Sequence, residues 1–182
     1  SSFSVINAIT RWGSEQIQAK YLGAFAENPE LKASFAVQEE TAAFNPYQLK
    51  TQAIAHQAHY LISGEKTLVM LGENADLYLV SADLDGTPEV FVVQCDHSIT
   101  AKKSPAMGLK ATESVTLQFK NTPAQRLGDD DFDYHTFVDL GNLMWCAMAV
   151  GTCEAVKKYC IQYANERTAF GEPISHRQSV AF

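Results

Sequence analysis

Hydrophobic residues recur at helical spacing in the first part of the chain. From residue 2 to about residue 26 they lie three or four positions apart, and Gly13 interrupts the pattern. Ser14 follows that break, and serine is a preferred N-cap because its hydroxyl accepts a backbone N–H of the first helical turn. The pattern therefore predicts two helices, the second capped by Ser14, and the polar segment 27–30 ends them.

Between residues 33 and 119 the pattern changes to short runs rich in Val, Leu, Tyr, Phe and Thr, separated by turn residues. Such runs predict β-strands, and their spacing is typical of an antiparallel barrel or sandwich. Ser63-Gly64-Glu65 and Asp85-Gly86 are each predicted to close a hairpin. The predicted strands are residues 34–38, 49–55, 59–62, 67–71, 77–82, 90–94 and 114–119.

Helical spacing returns after Pro123 and predicts one long helix from about Tyr134 to Glu166. The acidic residues before it favour helix capping over calcium binding, since they lack the alternating ligands and the glycine of a calcium loop. These residues are Asp129, Asp130, Asp131 and Asp133. Because this helix is apolar on several sides, we expect partner helices from beyond residue 182 or from another subunit.

These patterns together predict an α+β fold in which an antiparallel β-barrel or sandwich is flanked by helical segments. The predicted domains are residues 1–30, the end of a helical domain; 31–124, a middle β domain; and 125–182, the start of a second helical domain.

Composition narrows the function classes. The chain has 182 residues, 46% of them hydrophobic, which is enough to bury a core and excludes intrinsic disorder. Its 14 basic and 21 acidic residues give a net charge of -7, which argues against a nucleic-acid surface. The longest apolar run, 140–150, is too short for a membrane span. We expect a cytoplasmic protein, because the N-terminus lacks a secretory signal and the four cysteines form no disulfide pattern.

The cysteines and histidines do not predict a metal site. Cys146, Cys153 and Cys160 recur every seven residues, so neighbouring sulfurs on one helix lie about 10 Å apart along its axis and cannot share a zinc ion. We expect buried thiols there. His56 and His59 would point to opposite faces of a strand, which argues against shared ligation and favours surface or hairpin histidines. These residues alone indicate no reaction.

A series of motifs does indicate a family. The most specific is Glu-Arg-x-x-Phe-Gly-x-Pro-Ile at residues 166–174, with Gln178 and Phe182 after it. The motifs follow one another in the same order as in the acyl-CoA dehydrogenase family, which this chain therefore resembles. The resemblance covers nearly the whole chain, which corresponds to about half the length of a typical family member. The other motifs are Gly13-Ser14-Glu15-Gln16, Lys20-Tyr21-Leu22, Phe35-Ala36-Val37-Gln38-Glu39, Ile62-Ser63-Gly64-Glu65-Lys66, Lys102-Lys103, Met107-Gly108-Leu109-Lys110 and Val115-Thr116-Leu117-Gln118-Phe119.

The resemblance implies an FAD-dependent oxidoreductase that performs α,β-dehydrogenation of acyl-CoA thioesters. It implies a homo-oligomer, a dimer or tetramer, with an electron-accepting flavoprotein as a further partner. Val37 matches the position whose backbone lies beside the flavin, and Gln38 replaces a Thr or Ser that hydrogen-bonds the flavin edge. Arg167, Phe170 and Gln178 match positions that hold the adenosine end of FAD bound by a neighbouring subunit.

Several positions depart from the family pattern. Glu39 is followed by Glu40-Thr41-Ala42-Ala43-Phe44-Asn45 instead of Pro-Gly-x-Gly-Ser-Asp, so Phe44 replaces a serine that contacts ligand. Leu68 and Met70 replace the Trp and the Thr of the family's Trp-Ile-Thr strand, which packs an aromatic side chain beside the flavin and donates a hydrogen bond to it. On a strand Leu68 and Met70 share one face, which becomes wholly apolar. Each lost hydrogen-bond donor costs about 1 to 3 kcal/mol, so Phe44, Leu68 and Met70 together predict weaker retention of FAD.

No catalytic base is assigned within this chain. In one branch of the family a Glu-Arg pair supplies the base, and Gly141 and Asn142 occupy those positions here. In the commoner branch the base lies well downstream of the Arg167 motif, beyond residue 182. Two hypotheses therefore stay open: an oxidoreductase, or a non-catalytic paralogue that binds a CoA ester or a catalytic sister subunit. A third hypothesis is that the chain is a β-sandwich binding module unrelated to this family.

Overall fold

The computed structural model describes residues 2–104, 107–108, 110–129 and 132–182. These residues form two compact units, one that ends at Tyr134 and a second that covers His135–Phe182. The predicted domain limits at residues 30 and 124 stay a prediction.

Two helices open the N-terminal unit, as the sequence predicts. Helix α1 spans Ser2–Trp12 and α2 spans Glu15–Glu27. Ser14 caps α2, because its hydroxyl accepts the Ile17 N–H at 3.4 Å. The Ser14 N–H donates to the Leu127 carbonyl at 3.0 Å, which attaches the cap to the chain that leaves the barrel.

Seven strands form one closed sheet in this unit. They are β1 Ala33–Ala36, β2 Gln52–His56, β3 His59–Val69, β4 Leu77–Leu84, β5 Thr87–Gln94, β6 Ile99–Lys103 and β7 Val115–Arg126. Four antiparallel pairings, β2 with β3, β3 with β7, β7 with β5, and β5 with β4, are completed by a short parallel contact between Gln52 and Asp83. Strand β1 runs parallel to β4, and β6 pairs with β7. The predicted barrel is thus confirmed.

The hairpin predicted at Ser63-Gly64-Glu65 is wrong. Predicted strand 59–62 and residues 67–69 of predicted strand 67–71 belong to one long strand, β3, which passes through Gly64 and ends at Val69. The turn lies instead at residues 57–58, where His56 pairs with His59 and Gln57 adopts a φ of 55°. The Asp85-Gly86 hairpin is confirmed, with both residues at positive φ. Strand β6 was not predicted.

The core of this unit fills the barrel with aromatic and branched side chains. Tyr60 packs against Phe91 with ring centroids 5.2 Å apart. The largest fully buried apolar side chains of this core cluster are Tyr78, Phe91, Phe119, Ile62 and Leu117, whereas Ile9, Leu79 and Leu127 are fully buried but lie outside it.

A long helix and a small hairpin make up the C-terminal unit. Helix α3 spans Tyr134–Glu166, as predicted. Strands β8 (Thr168–Ala169) and β9 (Glu172–Pro173) pair, a short 3₁₀ turn covers Ile174–His176, and α4 spans Gln178–Ala181. Of the acidic run before α3, Asp130 and Asp131 lie outside the described residues.

The expected burial of the helix cysteines is wrong. Cys146, Cys153 and Cys160 are free and exposed, as is Cys95. The reason is that the surface of α3 is largely uncovered in this chain, and Trp145 and Tyr159 are also more than half exposed. The partner helices expected around α3 stay a prediction.

The histidine pair lies closer together than a single strand allows. The rings of His56 and His59 are 5.0 Å apart, because the two-residue turn between them places them opposite each other across a hairpin. The expectation that they face opposite sides is therefore wrong, and the hairpin interpretation is confirmed. In the described ranges no group of three or more His, Cys, Asp or Glu side chains is arranged to hold a metal ion.

None of the helices in the described part of the chain combines the length and hydropathy that a membrane crossing requires.

Candidate functional site

Val37 and Gln38 lie directly after β1, at the edge of the barrel. The Val37 carbonyl accepts hydrogen bonds from Lys66 Nζ at 3.1 Å and from Ser81 Oγ at 3.2 Å. The Gln38 carbonyl accepts the Thr67 N–H at 2.8 Å. The Gln38 side chain is exposed, so its carboxamide is available to a ligand at this edge.

A buried ion pair lies beneath this segment. Lys66 Nζ lies 2.8 Å from Glu39 Oε1, and the two side chains are 0% and 5% exposed. Burial lowers the pKa of Lys66 to about 8, although Glu39 acts to raise it. Burial acts to raise the pKa of Glu39, but hydrogen bonds from Lys66 and from the Lys50 and Thr51 amides outweigh it and hold that pKa below its usual value. Sequence reasoning missed this pair.

The positions that depart from the family pattern are exposed or half-buried. Leu68 is 53% exposed and has a φ of 55°, within an irregular stretch of β3 between Lys66 and Val69. Val69 is fully buried and is the last residue of β3, and Met70 lies in the turn after it and is half-buried. The regular strand that was expected to place Leu68 and Met70 on one face is therefore absent here, because β3 is irregular at Leu68 and ends before Met70. Phe44 is half-buried in the loop that replaces the glycine-rich motif. Apolar groups therefore occupy positions where the family places polar ones.

In the C-terminal unit, the Arg167 motif folds into the β8–β9 hairpin. Its tip is Phe170-Gly171, with φ of 58° and 88°, and the two strands pair on either side of it. This conformation turns the Phe170 ring outward, where it is 91% exposed. The Arg177 guanidinium lies over that ring, with Cζ 4.6 Å from the centroid.

Arg167 joins α3 to this hairpin. Its guanidinium donates to the Tyr163 hydroxyl and lies over the Tyr163 ring, with Cζ 5.5 Å from the centroid. The Arg167 carbonyl accepts the Ile174 N–H at 2.9 Å, which anchors the far strand of the hairpin. The side chain of Arg167 is exposed, and its partner is a phenol rather than a carboxylate, so the contact with Tyr163 is not an ion pair.

The structure brings only part of the predicted site together. Phe170 contacts Arg177, which directly precedes the exposed Gln178 at the start of α4. Arg167 contacts Tyr163 instead. Sequence reasoning missed Tyr163 and Arg177, although a tyrosine four residues before an arginine on a helix lies on the same face and gave a usable signal.

The position expected for a base in one branch of the family carries no acid. Gly141 and Asn142 are both exposed on α3, and a Cβ added to Gly141 would meet no atom within 4 Å. Gly141 therefore supplies no proton acceptor.

Comparison with known proteins identifies the family of this chain. The middle-domain model of acyl-CoA dehydrogenases matches residues 34–122, and the C-terminal-domain model matches residues 135–182. The chain belongs to the acyl-CoA dehydrogenase family. An acyl-CoA dehydrogenase of Bacillus subtilis (strain 168) is 29% identical over 97% of this chain and 50% of its own length.

Solved structures of the family also superpose on this chain. An acyl-CoA dehydrogenase from Geobacillus kaustophilus matches with a TM-score of 0.84 and 25% identity, over 98% of this chain and 50% of that one. One complexed with FAD from Bacillus anthracis matches with a TM-score of 0.76 and 25% identity, over 93% and 31%. The chain thus spans about half the length of the curated relative it matches.

The donor set in this chain fits the anionic end of FAD better than its flavin end. Arg167 offers forked, charged donors that suit phosphate oxygens, and Gln178 adds an exposed carboxamide. At the barrel edge Gln38 offers a donor, whereas Leu68 and Met70 offer none. Of the two groups of residues, the C-terminal one therefore has the donor chemistry that suits phosphate, and the barrel edge contributes a single side-chain donor.

Proposed function

We propose that the protein containing this chain is an FAD-dependent oxidoreductase that performs α,β-dehydrogenation of acyl-CoA thioesters. Family membership supports this proposal, and the arrangement of the Arg167 hairpin carries it. That hairpin presents an exposed guanidinium, an exposed aromatic ring at its tip and, directly after it, an exposed carboxamide. These groups suit the phosphates, the base and the polar edge of an adenine dinucleotide.

Each residue of the site has a distinct task in this proposal. Arg167 pairs with phosphate oxygens, while Phe170 and Gln178 hold the adenosine end of the cofactor of a neighbouring subunit. Val37 and Gln38 lie at the flavin edge, with the Gln38 carboxamide as hydrogen-bond donor. FAD, when bound, supplies the hydride acceptor. The base that removes the α proton lies outside this chain.

The proposal includes partners. A homo-oligomer is required because Arg167, Phe170 and Gln178 serve a neighbouring subunit. The exposed apolar residues of α3, Leu143 and Tyr159 among them, agree with further helix packing. An electron-accepting flavoprotein would reoxidise the cofactor. Four free thiols agree with a reducing, cytoplasmic location.

A visible spectrum of the purified full-length protein tests the proposal first. We expect flavin absorption bands, either as isolated or after addition of FAD, and bleaching of those bands on anaerobic addition of acyl-CoA thioesters of varied chain length. A colourless protein that does not bind added FAD would overturn the cofactor assignment.

A non-catalytic paralogue is the second candidate, and Leu68 and Gly141 favour it. Leu68 leaves an exposed apolar group where a flavin-packing aromatic stands in relatives, and Gly141 supplies no base. This candidate predicts that a catalytic homologue co-purifies with the protein. Turnover of an acyl-CoA by the protein alone would exclude it.

A further inference from the structure

The Glu39–Lys66 pair is buried deeply for a pair of charged side chains. Lys66 is fully buried within the barrel wall, and Glu39 lies just beyond the end of β1. Removing two charges from water is costly, and a well-packed apolar pair of similar volume is often at least as stable. A pair like this therefore needs an explanation other than stability alone.

The Lys66 ammonium uses its complete hydrogen-bonding capacity. The Lys66 ammonium donates to three acceptors, Glu39 Oε1 at 2.8 Å, the Val37 carbonyl at 3.1 Å and Ser81 Oγ at 3.2 Å. An ammonium has three protons, so each has an acceptor. This arrangement fixes the position of Lys66 Nζ between β3 and β4.

Glu39 is fixed equally well from the other side. Its Oε2 accepts the Lys50 N–H at 2.8 Å, and its Oε1 accepts the Thr51 N–H at 3.0 Å. These two amides lie where the chain returns to the barrel before β2. The carboxylate therefore closes the loop 40–49 at its base, whatever sequence the loop carries.

The segment held in this way is the one that carries Val37 and Gln38. The regular pairing of β1 with β4 ends at Ala36, so residues 37–39 have no ladder of their own with β4. Hydrogen bonds from Lys66, Ser81 and Thr67 take its place. The orientation of the Val37 and Gln38 peptides thus depends on an ammonium group that itself depends on Glu39.

We propose that Lys66 and Glu39 are positioning residues that fix the Val37–Gln38 backbone at the flavin edge. This inference rests on the proposed function, because it assigns the pair to that cofactor site. The same hydrogen bonds hold this edge in a chain whose loop carries Phe44 and its neighbours in place of the glycine-rich motif. Neither side chain is proposed to touch substrate or to transfer a proton.

The test compares three variants of the full-length protein. Lys66→Met removes the ammonium, and Glu39→Gln with Lys66→Met removes both charges, so that no buried charge is left unpaired if the single variant fails to fold. Arg126→Met is the matched control, because it breaks a second ion pair of the same barrel, with Arg126 Nη2 2.7 Å from Glu89 Oε1, between β7 and β5.

Hydrogen exchange and FAD affinity are measured on each variant. We expect amide exchange in residues 37–41 to accelerate about tenfold or more in both Lys66 variants, while residues 87–94 keep their protection. We also expect the FAD dissociation constant to rise about tenfold and the flavin bands to shift, in the double variant as well. Arg126→Met should change neither the exchange of residues 37–41 nor the flavin bands.

The possible results separate the positioning role of the Glu39–Lys66 pair from its link to the cofactor site. A double variant that folds, exchanges and binds FAD like the parent protein would overturn the positioning role. Faster exchange with unchanged FAD affinity and spectrum would overturn the cofactor part and leave a purely structural tether. A parent protein that binds no FAD would instead refute the proposed function and with it the cofactor part, and the exchange data would still decide whether the tether exists.

Discussion

Gly64 in β3 lies directly against Thr51, the residue that precedes β2. A Cβ built on Gly64 would lie 2.7 Å from the Thr51 Cα, and the Gly64 φ is 149°. Both facts require glycine, since that distance is shorter than any ordinary carbon contact and the φ disfavours other residues. The contact lets the chain that leaves the Glu39 loop enter the barrel beside β3.

Replacing this glycine is expected to destabilise the protein. Gly64→Ala should lower the free energy of unfolding by about 2 to 4 kcal/mol, because it combines overpacking against backbone with an unfavourable φ. Urea unfolding followed by circular dichroism measures the change. Gly23→Ala is the control: Gly23 lies exposed in α2 with no atom near its added Cβ, so it should stabilise by about 0.5 to 1 kcal/mol. Equal effects of the two substitutions would contradict this account.

Gly64 also shows where sequence reasoning ends. Asp85-Gly86 and Ser63-Gly64-Glu65 have similar turn composition, yet only the first is a turn. The difference is tertiary, since no atom approaches an added Cβ on Gly86 whereas Thr51 crowds Gly64. Local composition cannot distinguish a glycine needed for a turn from one needed for close approach.

Local signals, by contrast, predicted their elements well. The Ser14 cap and the limits of α3 follow from neighbouring residues and are confirmed. The Glu39–Lys66 pair joins residues 27 positions apart, and its formation depends on which strands are neighbours. Arg167 could be predicted because the motif at residues 166–174 is contiguous in the sequence. The stacking of Arg177 on Phe170 could not be predicted in the same way, because it depends on the shape of the hairpin.

Acid should remove the stabilisation that Glu39 provides. The pKa of Glu39 lies below its usual value of 4.5 in the folded protein, so its contribution is complete above about pH 4.5 and is lost as the pH falls through the folded pKa. Glu39→Gln leaves Lys66 buried without a counter-charge and should cost about 3 to 5 kcal/mol at pH 7. The difference between parent and variant should shrink steadily below pH 4.5.

Unfolding experiments at several pH values measure this difference. The double variant Glu39→Gln with Lys66→Met is the control, since it lacks both charges and should lose this acid-dependent component. A gap between parent and Glu39→Gln that stays constant from pH 7 to pH 3 would show that the carboxylate charge contributes nothing to stability.

Restoring polar groups beside the proposed flavin edge should tighten FAD binding. Leu68→Trp with Met70→Thr reintroduces the residue types of the family's Trp-Ile-Thr strand, and Leu68 is exposed enough to accept an indole without disturbing the core. One regained hydrogen bond is worth about 1 kcal/mol or more, so the dissociation constant should fall about fivefold to tenfold. Fluorescence titration with FAD measures it.

A tryptophan elsewhere on the barrel serves as the control for that gain. Ile54 is 64% exposed on β2, so Ile54→Trp adds the same ring away from the proposed edge and should leave the FAD dissociation constant unchanged. If both variants tighten binding equally, the gain is non-specific, and Leu68 does not mark the flavin edge.

Arg167 should contribute most to cofactor binding in the C-terminal unit. Arg167→Ala removes a forked cation whose partner is the neutral Tyr163 phenol, so its loss should weaken FAD binding about tenfold to a hundredfold. Arg167→Lys keeps the charge but loses the planar fork, and an intermediate affinity is expected. Isothermal titration calorimetry of the full-length protein with FAD gives the dissociation constants of the parent and of the two Arg167 variants. Lys158→Ala is the control, because it removes an exposed cation from helix α3, which ends directly before Arg167, and the FAD affinity of this variant should match that of the parent. Should Arg167→Ala also match the parent, the hairpin does not bind the phosphates, and the assignment of Phe170 and Gln178 to the adenosine end loses its main support.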